Sequence, residues 1–193
     1  RNSSNVAIDG SGNIWVGNYT GNGNYSFSEL SGSGAALSPS TGFPAPSGVE
    51  VGDLAFDGSG NLWNANEGLW KMAYSGGALT SSPKITTGGI DDPSGIAIDG
   101  SGQVWVINHV ASGGGPYSTI SEFSNAGVAV SPSTGYTVDN LLSDPAGIAV
   151  DGSGNVWVAN QGGGSIMQLI GAGTPVVTPL AVGVKNNMLG TRP

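Results

Sequence analysis

Four stretches of this chain align on one another without a gap, and that repetition limits its fold more than any other feature. They are Asn5–Asn18, Asp53–Asn66, Gly95–Asn108 and Gly147–Asn160. Each runs hydrophobic-Ala-hydrophobic-Asp-Gly-Ser-Gly, then Asn or Gln, a hydrophobic residue and Trp, and closes on Asn. The equivalent tryptophans lie at 15, 63, 105 and 157, spaced 48, 42 and 52 residues apart. A period of roughly 40–50 residues is that of a propeller blade, a small antiparallel sheet repeated about an axis.

Each unit predicts four strands. The first is the run typified by Ile96-Ala97-Ile98, whose alternation sets Ala97 opposite the two isoleucines. An Asp-Gly-Ser-Gly hairpin leads to the second, Val104-Trp105-Val106. The third covers Tyr25–Leu30, Leu69–Tyr74, Ser118–Phe123 and Ser165–Ile170 in turn. The fourth is weaker, around Leu37, Leu79–Ile85, Val128–Val130 and Pro175–Leu180. Units one and three share Ser-Pro-Ser-Thr-Gly at 38–42 and 131–135. The expected fold is therefore all-β: four tandem four-stranded antiparallel blades at 1–48, 49–94, 95–146 and 147–180, with a tail at 181–193. This is a small ring in itself, part of a larger propeller, or half of a ring completed by a second copy.

Composition agrees with this reading once the repeat is seen. Gly and Pro make 46 of 193 residues, a level that would suggest disorder in an aperiodic chain. Here much of that excess sits in the hairpins and in Pro-x-Gly leaders, while 38% hydrophobic and 9% charged residues exclude the disordered class. Five basic residues against 13 acidic ones cannot neutralise a phosphate backbone, so nucleic acid is excluded as a partner. The absence of cysteine excludes disulfide scaffolds and thiolate chemistry. No apolar run is long enough to predict a membrane span, and no signal peptide is visible at Arg1. Sequons occur at Asn2, Asn18 and Asn24, as they easily do by chance in a chain so rich in Ser, Gly and Asn; the expected location is secreted, periplasmic or cell-surface.

The pattern Pro-x-Gly-Ile-Ala-hydrophobic-Asp followed by Gly-x-Gly-Asn-hydrophobic-Trp-Val-x-Asn resembles the NHL repeat family. It is also similar to the six- and seven-bladed propellers of the streptogramin lyase and gluconolactonase type. Pro93-Ser94-Gly95 and Pro145-Ala146-Gly147 carry its leader; unit two has Pro46-Ser47-Gly48 farther upstream, and unit one has none. The resemblance spans residues 5 to about 180 and implies more blades than four. It also implies that the loop face around the axis holds the metal and catalytic groups of the lyase and lactonase types.

Strand alternation gathers the loops after each second strand and before each first strand on that face. The candidate ligand-binding residues there are Asn66, Glu67, Trp70, Asn108, His109 and Asn160, with Asp91 and Asp92 beside them. Trp70 lies off the repeat position and is expected to be exposed, whereas Trp15, Trp63, Trp105 and Trp157 are expected between blades. No resident cofactor is expected. The alternative is Ca²⁺ or Mg²⁺ on Glu67, Asn108, Asp144 and Asn160, with His109 as general base. The four hairpin aspartates could also be read as calcium loops, but one carboxylate per turn suits a type I turn better. The polar loops 108–117 and 19–25 suit adaptable recognition. The main functional expectation is a non-catalytic extracellular propeller that binds a glycan or protein and self-associates through open blade edges. The alternatives are a metal-dependent lyase or lactonase-like enzyme, and an inactive C-terminal fragment of a larger propeller.

Overall fold

The computed structural model describes residues 5–21, 23–109 and 118–176. These form four antiparallel sheets in chain order. The first comprises β1 (Val6–Ile8), β2 (Ile14–Gly21), β3 (Asn24–Leu30) and β4 (Phe43–Pro44), and the second β5 (Asp53–Phe56), β6 (Leu62–Ala65), β7 (Leu69–Ser75) and β8 (Ala78–Ser81). The third comprises β9 (Pro93–Ile98), β10 (Val104–Asn108) and β11 (Thr119–Phe123), and the fourth β12 (Pro145–Val150), β13 (Val156–Asn160) and β14 (Ser165–Leu169).

The last two sheets thus have three strands, where four were expected. In the third, the segment after β11 touches it at two isolated bridges, Phe123 with Ala129 and Ile120 with Tyr136. Between them the Ser-Pro-Ser-Thr-Gly signature loops away, closed by Gly135 N–H on Pro132 C=O with Gly135 at φ 69. Proline lacks the amide that a continuous outer strand would donate. The first sheet repeats this break between the Leu30–Ala36 bridge and β4. In the fourth, Pro175 and Val176 leave the sheet: Val176 N–H bonds Asp151 C=O, and Thr174 N–H bonds the Asp99 carboxylate. The rest of the expected strand 175–180, the tail 181–193 and the loop 110–117 lie outside the described residues.

Three apolar clusters sit between successive sheets. Trp15 packs with Leu54, Leu62 and Met72; Trp63 with Ile96, Val104, Val106 and Phe123; Trp105 with Val156 and Val158. The strand alternation explains the order. Val104 and Val106 face the second sheet, while Trp105 and Ile107 face the fourth. With both faces covered, every residue of β10 is buried. β13 instead alternates buried and exposed, because only its Val156 and Val158 face is covered. Trp157 is accordingly 37% exposed, where its three counterparts are at most 3% exposed. At the other end of the row Val6 and Ile8 are 58% and 65% exposed.

Each hairpin is held by its aspartate in the same way. In the second sheet, Asp57 Oδ1 accepts the amides of Ser59 and Asn61, both at 2.9 Å. Its Oδ2 accepts the Trp63 indole N–H at 3.1 Å. Asp9, Asp99 and Asp151 make the corresponding bonds to Trp15, Trp105 and Trp157, the Trp105 bond being long at 3.5 Å. Gly12, Gly60, Gly102 and Gly154 all lie at φ between 81 and 84, which demands glycine at the end of the turn. Both oxygens of these carboxylates are thus engaged within the fold.

Burial works to raise Asp9, Asp57 and Asp99, but their hydrogen bonds outweigh it and hold all three below 3.8. At exposed Asp151 the Trp157 bond leads in lowering the carboxyl. A carboxyl lowered on folding stabilises above its unfolded value, and that contribution is lost as pH falls through the folded one. Glu29 and Asp53 are raised by burial and act with the opposite sign. The urea midpoint should therefore hold from pH 7 to 5 and fall below about pH 4. A midpoint that rises between pH 4 and 2 would contradict the assignment.

Candidate functional site

A cavity of about 760 Å³ opens on the loop face, lined from all four sheets. Two repeat positions build most of it. The residue after the closing Asn of each unit contributes Tyr19, Glu67, His109 and Gln161. The residue three before the first strand's repeat start contributes Glu50, Asp92 and Asp144.

The closing asparagines are the fixtures on which this lining hangs. Asn108 is fully buried: its Oδ1 accepts the Asp91 amide at 3.2 Å, and its Nδ2 donates to Thr119 Oγ1 and Ser121 Oγ. Asn160 likewise accepts the Ser143 amide at 2.6 Å and donates to Leu141 C=O and Ser165 Oγ. Asn66 donates to Val51 C=O, while buried Asn64 accepts from Gly52 and donates to Glu50 C=O. A buried amide so satisfied is costly to redirect. The side chains of Asn108 and Asn160 therefore tie the loops in place rather than pointing into the cavity; Asn66, Glu67, His109 and Asp144 line it. Trp70 is a correction. It is 9% exposed and packs with Phe27, Val49 and Leu54 between the first two sheets, because alternation along β7 turns it onto that core.

His109 is the centre of the geometry. Its Nε2 lies 2.9 Å from Asp144 Oδ1 and its Nδ1 3.6 Å from Asp92 Oδ2, and all three side chains are partly exposed. The His109 amide donates to Asp92 C=O, as the Gln161 amide does to Asp144 C=O. Asp92, Asp144 and Glu67 hold φ of 45, 50 and 49. For residues directly before Pro93 and Pro145 this is an unfavourable conformation, costing about 1–3 kcal/mol each. Packing maintains it and presents both carboxylates to the ring of His109.

Asp53 was not among the residues singled out by sequence. It stands where units three and four carry Gly95 and Gly147, and that substitution was the available signal. It lines the cavity and accepts the Ile96 amide at 3.0 Å across to the third sheet. Burial raises its carboxyl against the pull of the Ile96 and Leu54 amides, favouring the neutral acid. Tyr19 and Tyr25 stack obliquely with ring centres 5.1 Å apart, and the Tyr25 hydroxyl donates to Glu50 Oε2 at 3.0 Å.

The described lining includes five carboxylates, one histidine and no Lys or Arg. It repels anions and admits neutral or cationic molecules. The described lining does not fit a resident divalent ion. Two of the four expected ligands, Asn108 and Asn160, have their amides committed, and among the described residues no three His, Asp or Glu side chains are grouped to hold one ion.

No family model and no curated protein matches the chain. Solved structures do. One is a gluconolactonase assigned through its protein family (TM-score 0.64, 13% identity, 92% of this chain and 61% of that one). A second is a streptogramin B lyase (TM-score 0.59, 19% identity, 92% and 56%). A third is a virginiamycin B lyase from Staphylococcus aureus with quinupristin, a histidine-to-alanine variant described as catalytically inactive (TM-score 0.57, 18% identity, 84% and 50%). The chain thus spans between half and about three fifths of the length of these neighbours. The fold is a β-propeller related to theirs. The expectation of a non-catalytic module binding a glycan or protein is corrected by the same finding, since these neighbours are named as enzymes. Among the described residues no helix is long and apolar enough to cross a membrane.

Proposed function

We propose that this chain carries a lyase- or lactonase-type active site in the loop-face cavity, working by general acid–base catalysis. The observation that carries the reading is His109 flanked on both ring nitrogens by carboxylates at the cavity wall. With Nε2–H donated to Asp144, Nδ1 is left as the proton acceptor. Asp144 is then the positioning residue, and Asp92 faces the imidazolium that proton transfer creates. Asp53 lines the same cavity, its carboxyl raised by burial, and is the candidate for the complementary acid role.

The names of the neighbours support a lactone, or a bond broken by elimination, as the point of attack. The acidic lining adds that the reacting part of the substrate carries no net negative charge. The test follows gluconolactone hydrolysis by proton release, and cleavage of a streptogramin B, against enzyme-free blanks. On whichever substrate turns over, His109→Ala should lower kcat by about 10²–10⁴-fold, with an unchanged circular dichroism spectrum. His109→Ala turning over like the parent, or no parent turnover above blank on either substrate, would overturn the proposal.

A further inference from the structure

One corner of the loop-face cavity is aromatic and acidic at once. Tyr19 on β2 and Tyr25 on β3 stand directly opposite each other in the first sheet, with ring centres 5.1 Å apart. Both line the cavity, and Tyr19 is 45% exposed. Glu50 and Glu67 of the second unit line it with them. These are the repeat positions at which the third unit carries Asp92 and His109. In the third unit the carboxylate has an imidazole to face, whereas in the second both positions are acids. Among the described residues no ion pair engages Glu50 or Glu67. Lys84 lays its stem over Gly68, yet it neither pairs with Glu67 nor lines the cavity. Lys71 is held by Asp57 and Asn125. The Tyr25 hydroxyl donates to Glu50 Oε2 at 3.0 Å, and that bond leads in raising it above its ordinary value, ahead of desolvation and the charge on Glu50. Tyr19 and Glu67 add to the same effect, so the four groups share one field. A phenol that donates to a carboxylate also has a more electron-rich ring, whose face attracts a cation more strongly.

We propose that this corner binds an alkylammonium group, which the substrate carries apart from the bond that breaks. The tyrosine rings supply a surface that attracts a cation, and Glu67 with Glu50 Oε1 supplies the opposite charge. A cation seated there offsets two carboxylates that no described ion pair neutralises. An anion is repelled, and a neutral sugar leaves both charges uncompensated. A methylated ammonium suits the corner best, because it sheds water more readily than a bare ammonium and meets the rings through its methyl groups. All four side chains come from the first two sheets and their loops, whose mutual packing is internal to the chain. The statement about the substrate rests on the active-site reading above; binding by the corner does not.

Choline and its uncharged isostere 3,3-dimethylbutan-1-ol, titrated separately into the 193-residue chain and followed by NMR, test the corner without turnover. Choline should saturate in the millimolar range and bind at least about 10-fold more tightly than the alcohol. Glu67→Gln and Tyr19→Leu change exposed side chains. Each should weaken choline binding by about 3–5-fold, and the two together by at least about 10-fold. Equal affinity for choline and the alcohol, no saturation by choline, or variants that bind choline like the parent would each overturn the proposal. Tighter binding of glucose than of choline at these residues would do the same, as the mark of a sugar subsite. Choline binding without turnover of a lactone or a streptogramin B supports the corner and fails the active-site reading. Turnover without choline binding overturns the corner alone.

Discussion

Trp63→Ala should lower the unfolding free energy by about 4 kcal/mol, close to the upper end for a buried aromatic. Its ring is fully buried between the second and third sheets, with Phe123, Val104 and Ile96 around it. Lys71 Nζ lies 5.2 Å from the ring centre, and the indole N–H is bonded to Asp57. Removing the ring leaves a void lined from two rigid sheets, which cannot collapse to fill it. Trp157→Ala changes the same residue at the same repeat position with the same indole bond, but at a face that no sheet among the described residues covers. It should cost less than about 1.5 kcal/mol, because little cavity is formed. Urea unfolding of both variants beside the parent, at one protein concentration, makes the comparison. Equal losses at the two positions would show that the inter-sheet core does not carry the energy assigned to it.

Asp57→Ala should cost about 3 kcal/mol, second only to Trp63. The side chain is fully buried and accepts from two hairpin amides and the Trp63 indole. It also accepts from Asn125 Nδ2 of the neighbouring sheet at 3.1 Å and faces Lys71 Nζ at 3.5 Å. Truncation strands several of these donors in a place that water cannot easily reach, and leaves Lys71 with only the Asn125 oxygens. Asp57→Asn keeps the shape but loses the charge and one acceptor, so it should fall between parent and alanine. Asp151→Ala removes the equivalent group at an exposed hairpin and should be clearly milder. Thermal and urea unfolding of the four proteins would rank them, and an Asp151 loss matching that of Asp57 would refute the buried-donor account.

Much of the architecture was legible because the repeat is dense in residues with one structural use. Asp-Gly-Ser-Gly admits a hairpin and little else, and the alternation about Trp105 separates two faces before any contact is known. The outer strands were less legible. Their positions depend on where Pro39, Pro83 and Pro132 interrupt pairing, and that depends on the neighbouring sheet as much as on local propensity. On the loop face the sequence did not separate residues that line the cavity from those that hold the loops. Asn108 and Asn160 repeat because each fills a buried slot, so their regularity marks the scaffold, whereas Glu67 and His109, which follow such asparagines, line the cavity. Trp70 was misplaced because nothing local distinguishes an off-repeat tryptophan that faces core from one that faces water. Asp53 was passed over because an acid at the head of a strand looks ordinary until burial is known.

The asparagine fixtures also divide labour along the chain. Each fixed asparagine at 108 and 160 keeps its own loop in place whatever stands at 109 or 161, and Asn66 with Asn64 does the same ahead of 67. Tyr, Glu, His and Gln occupy the four equivalent sites: an aromatic hydroxyl, an acid, an imidazole and an amide. The scaffold therefore behaves as a rack with exchangeable slots. A change at 67, 109 or 161 therefore alters the cavity wall while leaving the bonds of the neighbouring asparagine intact.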